Sequence, residues 1–401
     1  MSAYPTQGDR AEPWTQRRGR RLRVCLVAPG FSTHETDGCV PAMREFALRL
    51  GGLHDVTVVS LRFPYTTAPY ELRSSAGCVR VLPLGAAATT GVARLGLLAR
   101  AVQTVVQAGP FDVVQGLWAD EPGVVAALAG RTLGAQVIVS FMGGERAQLG
   151  AIGYGGQTER LGPQLVATAV KLAHQITVGS PWYLDRLPAN WRAKCSVLPL
   201  ALTPTAWVDR RAALQAARRT TKGATGTSDK PPLRVGFVAS LSPVKAPGLL
   251  LSAAALAQRD GAALKVTLIG DGPLRYRLEQ QAQRLRVPAT FVGQVPFPAL
   301  NEHLRNLDVV VQTSWWESQG MAILEAAATG CAVMGTRVGA LAHLDSALAR
   351  TEPGQVPPLA ATLHRAATEP AWVFSRGREA ATEVMVDHDP GRCLSRWHAL
   401  L

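Results

Sequence analysis

From Leu22 onward the chain alternates short apolar runs with longer stretches of helical period. Residues 23–28, 56–61, 79–82, 112–115, 136–140, 175–178 and 195–198 are rich in Val, Ile and Leu, which predicts strands. Between them, 41–50, 92–107, 123–129 and 165–173 read as helices, the first with Pro41 in its opening turn. Strands that are apolar nearly throughout, separated by helices, predict a parallel sheet covered on both faces. The alternation stops at 218–232, which is rich in Thr, Gly, Lys, Ser and Pro and offers little to bury. It restarts at Leu233, with strands expected at 233–239, 264–269, 289–292, 308–312 and 332–335. Helices are expected at 247–259, 273–285, 298–306 and 319–329.

The predicted fold class is therefore α/β, with two tandem Rossmann-like parallel-sheet domains. The expected organisation is a basic disordered tail over 1–21, a first domain over 22–203 and a basic flexible linker over 204–232. A second domain follows over 233–385, and a terminal helix over 386–401 returns to the first domain. A length of 401 residues suffices for two full cores, and 47% apolar residues mark the chain as globular. In open sheets of this kind ligands sit beyond the carboxyl ends of the strands, so two of them facing one another are expected to make a cleft.

Charge and cysteine usage narrow the setting. The formal net charge is +13, with Arg17, Arg18, Arg20 and Arg21 at the end of the tail and seven basic against two acidic residues between Thr205 and Arg234. Such charge favours polyanions, and weak attraction to an anionic membrane surface is preferred over nucleic acid, for which no interleaved aromatic motif is present. The six cysteines show neither metal-ligand nor redox spacing, which suits a reduced interior. No apolar run reaches the ~18 residues needed to span a bilayer. A cytoplasmic protein, peripheral at the membrane face at most, is the expectation.

The most informative segment runs from Glu317 to Glu325, two carboxylates inside an apolar stretch that reads as a buried helix. An ionised Glu there needs a partner, from the protein or from a ligand. Ser318, Gln319, Gly320 and Met321 stand at the expected helix start, where backbone N–H groups lack intrahelical acceptors and the dipole is positive. That arrangement suits a diphosphate, and Gly320 allows close approach. With a start at Gln319, Glu325 would lie about 9 Å along the axis at ~1.5 Å per residue, within reach of a ribose diol. Taken singly, each residue has a plainer reading: Glu325 paired to Arg337 in the core, Glu317 solvated in a loop, Lys245 exposed at a helix start. Gly270 and Gly272 read mainly as a tight turn.

Four pieces, in order, resemble the retaining GT-B glycosyltransferases of the family four group. They are Val238-Ala-Ser-Leu-Ser-Pro-Val-Lys245, Gly270-Asp-Gly-Pro-Leu-Arg275, Phe291-Val-Gly293-Gln-Val295, and Asp308 to Ser314 followed by Glu317 to Glu325 and Gly330-Cys-Ala-Val333. The resemblance implies a nucleoside diphosphate sugar as donor, with no metal site and no cofactor. It implies that Glu325 binds the ribose hydroxyls, Glu317 faces the donor sugar and Lys245 neutralises the departing diphosphate. Ser318, Gly320, Met321, Ser240, Gly38 beside the phosphate and Val295 near the base complete the implied donor site. Asp120 stands where related chains carry a catalytic His, and Trp118, Phe141 and Trp182 are candidates for an acceptor site.

The chain also departs from the family pattern. Ser240 replaces an Arg, Met142 replaces a His, His343 stands where an acid is common, and Leu200-Ala201 replaces Asn-Gly. Arg234, Arg275 and Arg337 are candidates to restore the missing charge. The leading expectation is a retaining glycosyltransferase acting on a lipid-linked, polysaccharide or small-molecule acceptor, with uridine or guanosine as the donor base. A GT-B scaffold that has lost turnover and partners an active transferase is the alternative, and a nucleotide-sugar epimerase is a third reading that the two glutamates argue against.

Overall fold

The computed structural model describes residues 20–37, 39–87, 90–202 and 231–401. The chain folds as two units: the described residues up to Ala201 together with His388–Leu401, and the described residues from Leu202 to Asp387.

The first unit is built on β1 (Arg23–Gly30), β2 (Asp55–Phe63), β3 (Tyr70–Ser74), β4 (Gly77–Pro83), β5 (Val113–Leu117), β6 (Gln136–Phe141), β7 (Gln175–Val178) and β8 (Cys195–Val197). They form one sheet in the order β3-β4-β2-β1-β5-β6-β7-β8. Residues 24–28 of β1 are fully buried, with Leu26 opposite Val58 on one side and Gln115 on the other. Continuous burial of this kind is what an apolar run in a two-sided sheet produces. The pairs are parallel except β3, which lies antiparallel on β4 at the edge, with Leu72 as its one buried residue. Arg20 and Arg21, expected in a loose tail, pair with Asp112 at 3.1 Å and Asp55 at 2.9 Å.

The helix Pro390–His398 completes this unit. Asp389 caps it by accepting the Arg392 N–H at 2.9 Å. Trp397 is fully buried, and its indole N–H donates to Gln115 Oε1 at 2.8 Å. His398 Nε2 meets His54 Nε2 at 2.8 Å. His54 Nδ1 accepts the Leu22 N–H at 3.3 Å, so the ring proton sits on Nε2 and points to His398.

The second unit contains β9 (Leu233–Val238), β10 (Leu264–Ile269), β11 (Ala289–Gly293), β12 (Val309–Gln312), β13 (Ala332–Thr336) and β14 (Arg350–Thr351). The order is β11-β10-β9-β12-β13-β14, all parallel. Arg234 grips Asp308 with Nη2 at 2.8 Å and Nε at 3.1 Å, tying the start of β9 to that of β12. Helices Val356–Thr368 and Pro370–Asp387 follow β14. The helix after β12 runs Met321–Ala328, two residues shorter at its start than expected, because Gly320 takes a left-handed conformation at φ +88°.

Candidate functional site

In the second unit the chain leaves β9 toward β10 on one side, while β12 lies on the other. Such a reversal of strand order opens a crevice between the loops that follow the two central strands. A pocket of about 220 Å³ lies there. Ala239, Ser240 and Lys245 line it from the loop after β9, and Gln312, Ser314, Glu317, Gly320, Met321 and Ala322 from β12 and beyond. The two loops are stitched together: the Trp315 N–H donates to the Val244 carbonyl at 2.8 Å, and Thr313 Oγ1 donates to the Lys245 and Ala246 carbonyls, both at 2.9 Å. A Cβ on Gly320 would stand 2.8 Å from Gln312 Oε1, so both the backbone angle and the space demand glycine. Gly270 builds the turn after β10, where a Cβ would meet the Ala239 carbonyl at 2.0 Å.

Lys245 and Glu317 do not stand apart in solvent. Lys245 Nζ lies 2.7 Å from Glu317 Oε1, and Ser314 Oγ donates to the same oxygen at 2.7 Å. Glu325 is buried at 7% exposure, and among the described residues its carboxyl has no hydrogen-bond or ion-pair partner. Burial alone pushes its pKa up to about 7. Arg337, the candidate internal partner, instead lies 4.0 Å from Glu352. Since the helix begins at Met321, Glu325 is one turn in, ~6 Å along the axis rather than ~9 Å. Met321 and Ala322, one turn before Glu325 on the same helix face, line the pocket, and Glu325 itself lies behind them and is not among the lining residues.

None of the arginines considered as replacements for the missing cation lines the pocket. Arg234 is held by Asp308, Arg275 by Asp271 and Glu279, and Arg337 by Glu352. Ser240 lines the pocket, exposed, its Oγ 2.9 Å from Ser242 Oγ. Ser318 is buried in the loop before the helix and does not line the pocket. Val295 is not brought to it either; it packs against the core around Leu300 and Ile323. Gly38 lies outside the described residues.

Asp120 belongs to the first unit, just past β5 and at the start of the helix Glu121–Leu133. Burial, then Glu145 and Glu121, push its pKa up to about 7. Glu121 is held by Arg62 and Arg94, both at 2.5 Å. Phe141 and Trp182 are buried, and Phe141 packs on Tyr183, so neither lines an open acceptor surface. Trp118 is part-buried with φ +90°.

The sequence reading passed over three residues that matter to this geometry. Ser314 holds Glu317; its spacing of three before the acid was the available signal. Gln312 ends a buried strand at 8% exposure, a polar residue where an apolar one is the rule, and its Nε2 donates to the Val338 carbonyl at 3.2 Å. Glu145 accepts N–H groups from Ala119, Met142 and Gly143 at 3.1, 2.9 and 2.8 Å. Among the described residues no group of three or more His, Cys, Asp or Glu side chains is placed to hold a metal ion, and no helix is long and apolar enough to cross a membrane.

Residues 232–368 match the family model for Glycosyl transferases group 1. The D-inositol 3-phosphate glycosyltransferase of Nocardia farcinica is 36% identical over 117 residues, 27% of this chain and 26% of that protein. The Kribbella flavida enzyme of the same name is 34% identical over 172 residues, 39% of each chain. The chain thus spans no more than about two-fifths of the length of these curated relatives. The Anabaena protein Alr3699/HepE, solved with UDP and glucose, superposes with a TM-score of 0.69 over 94% of this chain and 99% of that one, at 16% identity. Residues 232–368 form a group 1 glycosyl transferase domain, and the chain has the fold of the GT-B glycosyltransferases.

Proposed function

We propose that the chain is a retaining glycosyltransferase of the family four group, moving a hexosyl unit from a nucleoside diphosphate sugar to an acceptor hydroxyl. The observation that carries this reading is Glu325: a buried carboxyl without a protein partner, one turn into a helix whose first turn lines a pocket. A ribose diol supplies the two donors such a carboxylate lacks. The first N–H groups of the helix and Lys245 receive the diphosphate, with Ser240 adding a hydroxyl. Glu317 faces the sugar. The anomeric C–O bond breaks with its electron pair passing to the phosphate oxygen. The acceptor oxygen bonds to carbon, and its proton goes to that same phosphate oxygen, so no side-chain base is needed. Asp120, in the first unit, is the proposed acceptor-side carboxyl.

HepE, of the same fold, holds UDP and glucose, which supports this ligand class. The group 1 match disfavours the scaffold reading. The net charge of +13 supports an anionic or lipid-linked acceptor at a membrane face.

Calorimetric titration of UDP and GDP into wild type and Glu325→Gln tests the reading. One nucleotide is expected to bind wild type and to bind the variant about tenfold or more weakly, the loss of a charge-assisted hydrogen bond worth ~1.5–3 kcal/mol. Equal affinity for both proteins would remove Glu325 from the site.

A further inference from the structure

Resting on the donor-site reading, we infer that Ser314 is a positioning residue that aims the free oxygen of Glu317 at the donor sugar. Both protein contacts of the Glu317 carboxylate, Lys245 Nζ and Ser314 Oγ, fall on Oε1 at 2.7 Å. Oε2 has no hydrogen-bond partner among the described residues. A carboxylate clamped on one oxygen presents the other in a fixed direction, ready to accept a hydroxyl. Glu317 lines the pocket, so a sugar hydroxyl is the donor of matching chemistry.

The two contacts on Oε1 are not equivalent once a diphosphate arrives. Among the described residues Lys245 is the one cation lining the pocket, and a phosphate draws its charge away from Glu317. Ser314 has no such competing demand. Its side chain is buried at 2% exposure, and its carbonyl is anchored by Thr336 Oγ1 at 2.7 Å, so the hydroxyl stays in place. Ser314 therefore keeps Glu317 in register in the loaded state, where the ion pair alone would loosen. Gly339 leaves room for the arrangement: a Cβ there would stand 2.8 Å from the Cβ of Glu317.

The test compares UDP with UDP-glucose, and GDP with GDP-mannose, on wild type, Ser314→Ala and Ser314→Thr. Wild type is expected to bind the nucleotide sugar more tightly than the bare nucleotide. Ser314→Ala is expected to bind the nucleotide like wild type, which also shows that it is folded, and to lose most of the sugar increment, about tenfold. Ser314→Thr, which keeps the hydroxyl, is expected to restore it. A Ser314→Ala protein that retains the wild-type increment overturns the positioning role alone. A wild-type protein that binds neither UDP nor GDP overturns the donor-site reading and this inference with it.

Discussion

Glu145 in the first unit and Glu325 in the second are both buried carboxylates whose burial raises their pKa, yet their surroundings are opposite. Glu145 accepts three backbone N–H groups and the Tyr183 hydroxyl, the last at 3.3 Å. Glu325 accepts from nothing in the described chain. A saturated acid is a strut: Glu145 ties the turn after β5 to the turn after β6. An unsaturated one is destabilising on its own, and a ligand that brings donors would relieve it. Burial alone, common to both, does not distinguish them; the count of donors does.

The largest effect expected from this contrast is on folding. Glu145→Ala strands three N–H groups in the interior and should lower the stability of the first unit by roughly 5 kcal/mol, since each unmet donor costs ~1–3 kcal/mol. Glu325→Gln, in the same urea titration without ligand, should lose nothing. Comparable losses in the two variants would erase the distinction.

The pH dependence of stability sharpens it. Glu325 has its pKa raised from 4.5 to about 7, so the folded state holds the proton more tightly than the unfolded chain. The unliganded protein is therefore favoured below pH 4.5, loses stability as pH rises from there to about 7, and is level above. The span is roughly 3 kcal/mol at most, and Glu325→Gln should flatten it. Donor hydroxyls favour the ionised form, so UDP binding near neutral pH should release up to about one proton, read from titrations in buffers of different ionisation heat. Binding without proton release would detach the nucleotide from this carboxyl.

The smallest effect concerns the His54–His398 contact. Burial and Arg21 lower the His54 pKa, against Asp55, which raises it. Burial and His54 lower that of His398 to about 4. Both rings are neutral when docked, so this contact contributes fully above pH 6.5 and is lost as pH falls toward 4. Amide exchange in Pro390–His398 should quicken over that window while Glu145 and its turn stay protected.

Of the fourteen strands among the described residues, twelve, all but β3 and β14, were legible because they are apolar runs, and the bounds of Pro247–Arg259 and Leu264–Ile269 match the expected ones. β3 was missed because Tyr-Glu-Leu-Arg-Ser buries a single side chain at a sheet edge. The helix start was misplaced because Ser318 is a cap-type residue just before Gln319, while Gly320 turns the chain by a left-handed step that composition does not reveal. Lys245, Ser240, Glu317, Gly320 and Met321 do meet in one pocket, although Lys245 and Glu317 are 72 residues apart. Val295, Ser318 and Glu325 do not line it. The role of Glu145 left no sequence trace, because its main partners are backbone N–H groups, which every residue but proline carries.

The terminal helix has a consequence for biosynthesis. Trp397 and His398 fill a slot beside Gln115 and His54, in the half of the protein that is made first. Domains ordinarily mature in the order in which the ribosome delivers them. Here the earlier half waits, with an apolar gap beside its central strands, until residues 390–398 have been made. A stop codon just before Pro390 would damage the first unit, made long before it, and leave the second unit intact.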